Sequence, residues 1–100
     1  MEQEWLSIKQ DRKEVILMRC SLEAHGKITI PDSVTRINDG AFIGCENMTY
    51  VEIPDSVITI GVAPFIGCSS LTHIKIPERF GSELARIFVG TPKYLTVLLF

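Results

Sequence analysis

Three cysteines, two histidines and a set of regularly spaced acids are the residues of this chain with the most chemical potential. Cys20, Cys45 and Cys68 are an odd number, and no two stand at the short spacing that zinc and thioredoxin-type sites require. A Cys–His nucleophile needs its imidazole within hydrogen-bond reach of the sulfur. His73 follows Cys68 by five residues, on a strand face opposite the one that carries the apolar residues. Asp32, Asp55 and Glu78 recur at a fixed interval, each after a proline. Paired carboxylates could serve acid–base chemistry or calcium, but acids in repeated Pro-Asp corners read more simply as solvated turn residues. Gly-rich phosphate loops, Ser-His-Asp spacing and metal-binding His pairs are absent. The sequence therefore assigns no catalytic, cofactor-binding or metal-binding residue, and the chain reads as a non-enzyme with no cofactor.

The interval that relates the acids organises the chain. Ile30-Pro31-Asp32-Ser33-Val34 recurs as Ile53-Pro54-Asp55-Ser56-Val57, 23 residues later. Ala41-Phe42-Ile43-Gly44-Cys45 returns as Pro64-Phe65-Ile66-Gly67-Cys68, and Ile53-Pro54 as Ile76-Pro77. One interval further on, Phe88-Val89-Gly90 and then Tyr94, Val97 and Leu99 stand where Phe65-Ile66-Gly67, Leu71, Ile74 and Ile76 stood; Thr91 replaces the Cys and Phe100 the Pro. Fixed self-similarity over 20–50 residues is the mark of a solenoid. Met48, Val51, Ile53, Val57, Ile60, Phe65 and Cys68 are too widely spaced for one helix face and too many for one strand, so they line the inside of a coil. A lone coil cannot cover its own apolar edge, so coils stack, with Ile28, Val51, Ile74 and Val97 in one column.

Four short parallel strands follow from the β-branched segments 27–30, 49–53, 72–76 and 95–99. Pro-Asp-Ser turns the chain after the first and second. Asn38 and Gly61 share one repeat position and are expected in the left-handed region, while Gly44 and Gly67 should each stop a single helical turn. Ser82 reads as the cap of a short helix over 83–87 in the degenerate repeat. Residues 1–24 do not keep the period. Leu6-Ser7-Ile8-Lys9, a polar turn and Glu14-Val15-Ile16-Leu17-Met18 read as a hairpin that caps the first coil, with Cys20 apart from the other cysteines. Cys45 and Cys68, stacked on adjacent coils, read as core thiols, a disulfide or metal site being the alternatives.

These elements resemble the BspA-like class of leucine-rich repeats, with its Leu-x-x-Ile-x-Ile-Pro, Val-x-x-Ile-Gly, Ala-Phe and Cys positions. The resemblance is close over residues 25–77 and loose over 78–100. Asn38 stands for the usual Gly, Pro64 for Ala and His25 for the first Leu. It implies an α/β fold: one leucine-rich-repeat domain over 1–100, a right-handed solenoid with four parallel strands on the concave side, short helical turns on the convex side and an N-terminal hairpin cap. It also implies a protein-binding scaffold, of a kind found in long cell-surface or secreted adhesins.

A net charge of −2, with Lys and Arg scattered, offers no basic field for nucleic acid. No apolar run approaches a membrane span of about 18 residues. Read as a natural start, Met1 implies a cytoplasmic protein; read as a fragment or mature form, the chain fits the cell surface or exterior. The expected partner is a protein or peptide, met on the concave face by Lys27, Thr29, Tyr50, Glu52, His73 and Lys75. Thr96, Leu98 and Phe100, on an apolar final strand with no following charge or proline, form a candidate edge for homodimerisation or a structural, adhesin-like role.

Overall fold

Threonine, isoleucine and valine crowd the first extended stretch of every repeat, and alternate side chains of such a stretch face opposite ways. In the computed structural model, which describes residues 5–100, these stretches are β3 (His25–Thr29), β5 (Asn47–Glu52), β7 (His73–Ile76) and β8 (Thr96–Leu99). They form one parallel sheet in the order β3-β5-β7-β8. Register keeps the repeat: Ile28, Val51, Ile74 and Val97 stand side by side as expected, flanked by the rows Lys27, Tyr50, His73, Thr96 and Thr29, Glu52, Lys75, Leu98.

Each of the first two coils also has a second strand, which the sequence pattern did not announce. β4 (Arg36–Ile37) and β6 (Thr59–Ile60) are two residues long, too short to show an alternation, and they extend a separate sheet, β1-β2-β4-β6. The expected hairpin, β1 (Leu6–Asp11) with β2 (Glu14–Cys20), is antiparallel about Arg12-Lys13. Its second strand runs parallel to β4, so that Leu17, Ile37 and Ile60 form a further buried column.

Three features depart from the sequence reading. The far side of the first two coils carries turns, not helical turns. There Ala41, Ile43 and Cys45 donate their N–H groups three residues back, while Gly40, Phe42 and Gly44 donate to Val62, Pro64 and Ile66 of the next coil. With every second N–H committed between coils, an α-helical ladder cannot form. The left-handed residues are Gly40 (φ 59) and Ala63 (φ 46), two places after Asn38 and Gly61, neither of which has positive φ. Gly44 and Gly67, with φ 74 and 80, do end their turns left-handed. Finally, the last repeat carries a 3-10 helix, Glu78–Glu83, and one short helix, α1 (Leu84–Ile87), and Ser82 caps neither.

That last repeat ends the second sheet with arginines. In the coil before it, Ser56 donates its hydroxyl to Val34 O at 2.7 Å. The residue one interval later is Arg79, whose guanidinium reaches Val57 O, and Asp55 O at 2.8 Å. Arg86 donates to Ile60 O and Gly61 O at 2.8 and 2.7 Å. The carbonyls at the outer side of β6, which another strand would have satisfied, are met by charged donors instead.

Between the sheets lies an apolar core that contains no buried polar or charged residue among the described ones. Phe42, Phe65 and Phe88 stack through it at 5.0 and 5.9 Å. Met48, Val51, Ile53, Val57, Ile60, Phe65 and Cys68, the residues expected inside one coil, are all buried.

Candidate binding face

Because Ile28, Val51 and Ile74 point into the core, their neighbours in each strand are held outward on a sheet that cannot rotate them. Lys27 places its Nζ 5.0 Å above the ring of Tyr50, which stacks on His73 at 6.0 Å and 13°. His73 Nδ1 lies 2.9 Å from Thr72 Oγ1, and that hydroxyl donates to Thr49 O at 3.1 Å. One row along, Lys75 Nζ is 4.0 Å from Glu52 Oε2 and 5.3 Å from the ring of Phe100. Lys27, Thr29 and His73 are exposed; Tyr50, Glu52 and Lys75 are half-buried. The structure therefore brings the six residues singled out for partner contact into two adjoining rows. An exposed cation–π contact gives about 0.5–1 kcal/mol, and an exposed ion pair about as much or less. These contacts orient the face more than they stabilise the fold.

Thr96 and Leu98 continue the two rows on β8, at the sheet's edge, and Phe100 lies beyond that strand under Lys75. Two contacts of the face were not foreseen. Trp5 meets His25 at 5.0 Å where the sheet begins. Phe100, read only as part of an edge, also walls a shallow hollow of about 210 Å³ with Thr29, Glu52, Asp55 and Lys75. No spacing rule finds either residue, since neither has a counterpart that faces it in the repeat; the lone tryptophan of the chain was the one available signal. Asp32, Asp55 and Glu78 are exposed, and Asp55 holds Arg79 at 2.8 Å.

The cysteines stand elsewhere, in the core, and all three are free. Cys68 donates to Phe42 O at 3.1 Å, Cys45 to Ser21 O at 3.6 Å and more distantly to Cys20 O. Cys20 is not apart from the other two: its thiol hydrogen-bonds Cys45, which raises Cys20 together with burial and lowers Cys45. β2 brings it there, entering the coil 25 residues before Cys45 rather than 23. Burial, and then the charge of Cys45, push Cys68 up to about 12. Thiolate, not thiol, is the nucleophile, and Cys45, the one thiol that is not raised, is as fully buried as Cys68, out of reach of a reagent in solution. At neutral pH the folded chain is expected to leave all three thiols unreacted with a chromogenic disulfide reagent, and to release three equivalents only in denaturant. Fast reaction of the native protein would contradict the core placement. The raised thiols also fix the sign of an alkaline effect. An unfolded Cys68 gives up its proton near pH 9 and a folded one near 12. Its stabilising share is intact below 9 and falls as pH climbs through that window.

A chain whose repeats each supply one strand to a parallel sheet, and whose apolar columns fill the space behind it, is a leucine-rich-repeat protein. More narrowly, the sequence profile of the BspA type leucine rich repeat region matches residues 14–95 with six copies of its motif, and the chain belongs to that family. The match opens at Glu14, within the hairpin's second strand. The fold is similar to that of a leucine-rich repeat protein from Bacteroides ovatus ATCC 8483, known from a crystal structure, with a TM-score of 0.62 and 23% identity. That likeness covers 74% of this chain and 18% of the other, so this chain spans less than a fifth of the protein it resembles. No curated protein matches it. Leucine-rich repeats are typically non-enzymatic protein-interaction modules. Among the described residues no group of three His, Cys, Asp or Glu is placed to hold a metal, and no helix is long and apolar enough to cross a membrane.

Proposed function

We propose that the chain binds a protein or peptide partner on the outer face of its four-stranded parallel sheet, through Lys27, Thr29, Tyr50, Glu52, His73 and Lys75. The observation that carries this is the Lys27–Tyr50–His73 stack: an aromatic anchor with a lysine over its ring and an imidazole stacked beside it, oriented by its neighbours and mounted on strands whose inner side chains are buried. Tyrosine on a rigid support gives contact area at little entropic cost, which is why it recurs among interface hot spots. In this reading residues 1–24, of which 1–4 lie outside the described residues, are the cap of the first coil of a right-handed solenoid, 25–77 carry the face and 78–100 end it, all within one domain. A stable interface needs about 800 Å² from each partner. Four strands of four to six residues, about 4.8 Å apart, supply less than that, which favours modest affinity or repeated contacts along a longer ligand.

Panning a random peptide display library against the chain tests the reading. Peptides recovered on the wild type are expected to bind Lys27→Ala/Tyr50→Ala/His73→Ala at least about tenfold more weakly, the loss that one hot-spot side chain brings. The thermal midpoint should move little, because none of the three side chains lies in the core. Peptides that bind both proteins equally would place recognition on another surface.

A further inference from the structure

The four sheet edges of this fold are not equivalent. An exposed strand edge invites pairing with another chain, and proteins blunt such edges with bulges, charges or covering groups. β1 has a register slip at Ser7/Ile8 and carries Lys9 and Asp11. β3 slips at Gly26/Lys27 and carries that lysine. The outer carbonyls beside β6 are taken by Arg79 and Arg86. β8 has none of these. Leu95 to Phe100 contains no charge and no proline, and β8 pairs with β7 without a slip. Of the ten large apolar side chains exposed among the described residues, Val89, Tyr94, Leu98, Leu99 and Phe100 fall in the last twelve, where Lys93 is the sole charge.

The backbone of β8 adds a symmetry. Thr96 and Phe100 donate to Thr72 O and Ile76 O, and Phe100 O accepts from Glu78, so the even-numbered residues turn their N–H and C=O groups toward β7. Alternation leaves those of Val97 and Leu99 facing away. Two free residues placed evenly about Leu98 match a second copy of themselves. With the strands antiparallel, Val97 of one chain meets Leu99 of the other twice, four hydrogen bonds form, and Leu98 meets Leu98 on the two-fold axis. Only the axial residue meets its own copy in this pairing, and there it is the uncharged Leu98, so no like charges are set opposite each other.

We infer that β8 is a self-association edge, through which two copies of this chain join their parallel sheets into one eight-stranded sheet. A second copy also brings an equal coil end, Val97 and Leu99 with Tyr94 and Val89, to cover the first, which a single added peptide strand would leave half open. The inference stands apart from the proposed ligand face, since Lys27, Tyr50 and His73 remain exposed or half-buried on the strands away from the joint.

Sedimentation of the 100-residue chain across micromolar to millimolar concentration is the test. The mass is expected to rise from 11.2 kDa to twice that value with concentration. Leu98→Lys, on a solvent-facing side chain that is 42% exposed, should hold the single mass throughout. A second variant guards against misfolding: Leu98→Cys, oxidised with copper phenanthroline, should form a disulfide between the two introduced thiols, which sit opposite each other at the axis. A wild type that stays monomeric, a Leu98→Lys chain that still dimerises, or a dimer lacking that disulfide would each overturn the inference.

Discussion

Phe65→Ala is expected to cost about 3 to 5 kcal/mol of folding stability, the range for a buried aromatic. The ring is fully buried and lies between Phe42 and Phe88, so the substitution removes two aromatic contacts as well as the transfer of the side chain from water. What raises the cost is the inability of the site to close. The backbone on either side is tied between coils, by Phe42 to Pro64 and by Gly67 to Gly90, and a chain pinned at those points cannot fall into the space the ring leaves. Domains of this size have about 5 to 15 kcal/mol in all. Chemical denaturation followed by circular dichroism should therefore show a midpoint displaced far toward water. Phe88→Ala, at the half-buried end of the same stack, should cost clearly less. A Phe65→Ala loss below about 1 kcal/mol would mean that the stack is not the core and that the repeat register is wrong.

The stack was legible in the sequence because it is a statement about period: Phe42, Phe65 and Phe88 occupy one position of a repeating unit, and coils that stack bring equal positions together. The same logic placed Ile28 against Val51 and Ile74. It failed wherever a contact breaks the period. Cys20 joins Cys45 because a hairpin strand, not a repeat, supplies it. Phe100 meets Lys75 from beyond the end of β8. Arg79 and Arg86 replace strand donors with side chains, and a substitution of backbone by guanidinium leaves no pattern to read. The second sheet was hidden for a different reason. Strands of two residues carry one inward side chain each, Ile37 and Ile60, and a single point has no alternation. Of the binding face, the six outward residues followed from the strand pattern, whereas their mutual stacking depended on side-chain length and on Lys27 folding back over Tyr50.

The glycine at position 61 shows how a correct residue can be read for the wrong physical reason, and it yields a paired test. Glycine there suggests a left-handed backbone, yet Gly61 has no positive φ. Its need is space: a Cβ would stand 2.6 Å from Asp39 N and 2.9 Å from Asn38 C, as well as 2.3 Å from Asp39 Oδ1. The carboxylate could move, at the loss of its 2.7 Å bond from Val62 N, but the backbone of the coil before cannot move without stretching the 2.8 Å bond from Gly61 N to Ile37 O. Asn38 fits at the same place one coil earlier, where the neighbour is the hairpin strand and its N–H donates to Leu17 O. Gly61→Ala should thus destabilise the fold by about 2 to 3 kcal/mol, as overpacking does. Two residues on, Ala63 holds φ 46 where the preceding repeat has Gly40, and a left-handed alanine costs about 1 to 2 kcal/mol. Ala63→Gly should relieve that, and after glycine's greater entropy in the unfolded chain is set against it, stability should rise by about 0.5 to 1 kcal/mol. Thermal and denaturant unfolding of the two variants should move in opposite directions. If Gly61→Ala were neutral, the close approach of the coils at Asp39 would be wrong; if Ala63→Gly were destabilising, the left-handed residue would have been misplaced by the two positions that separate period from geometry.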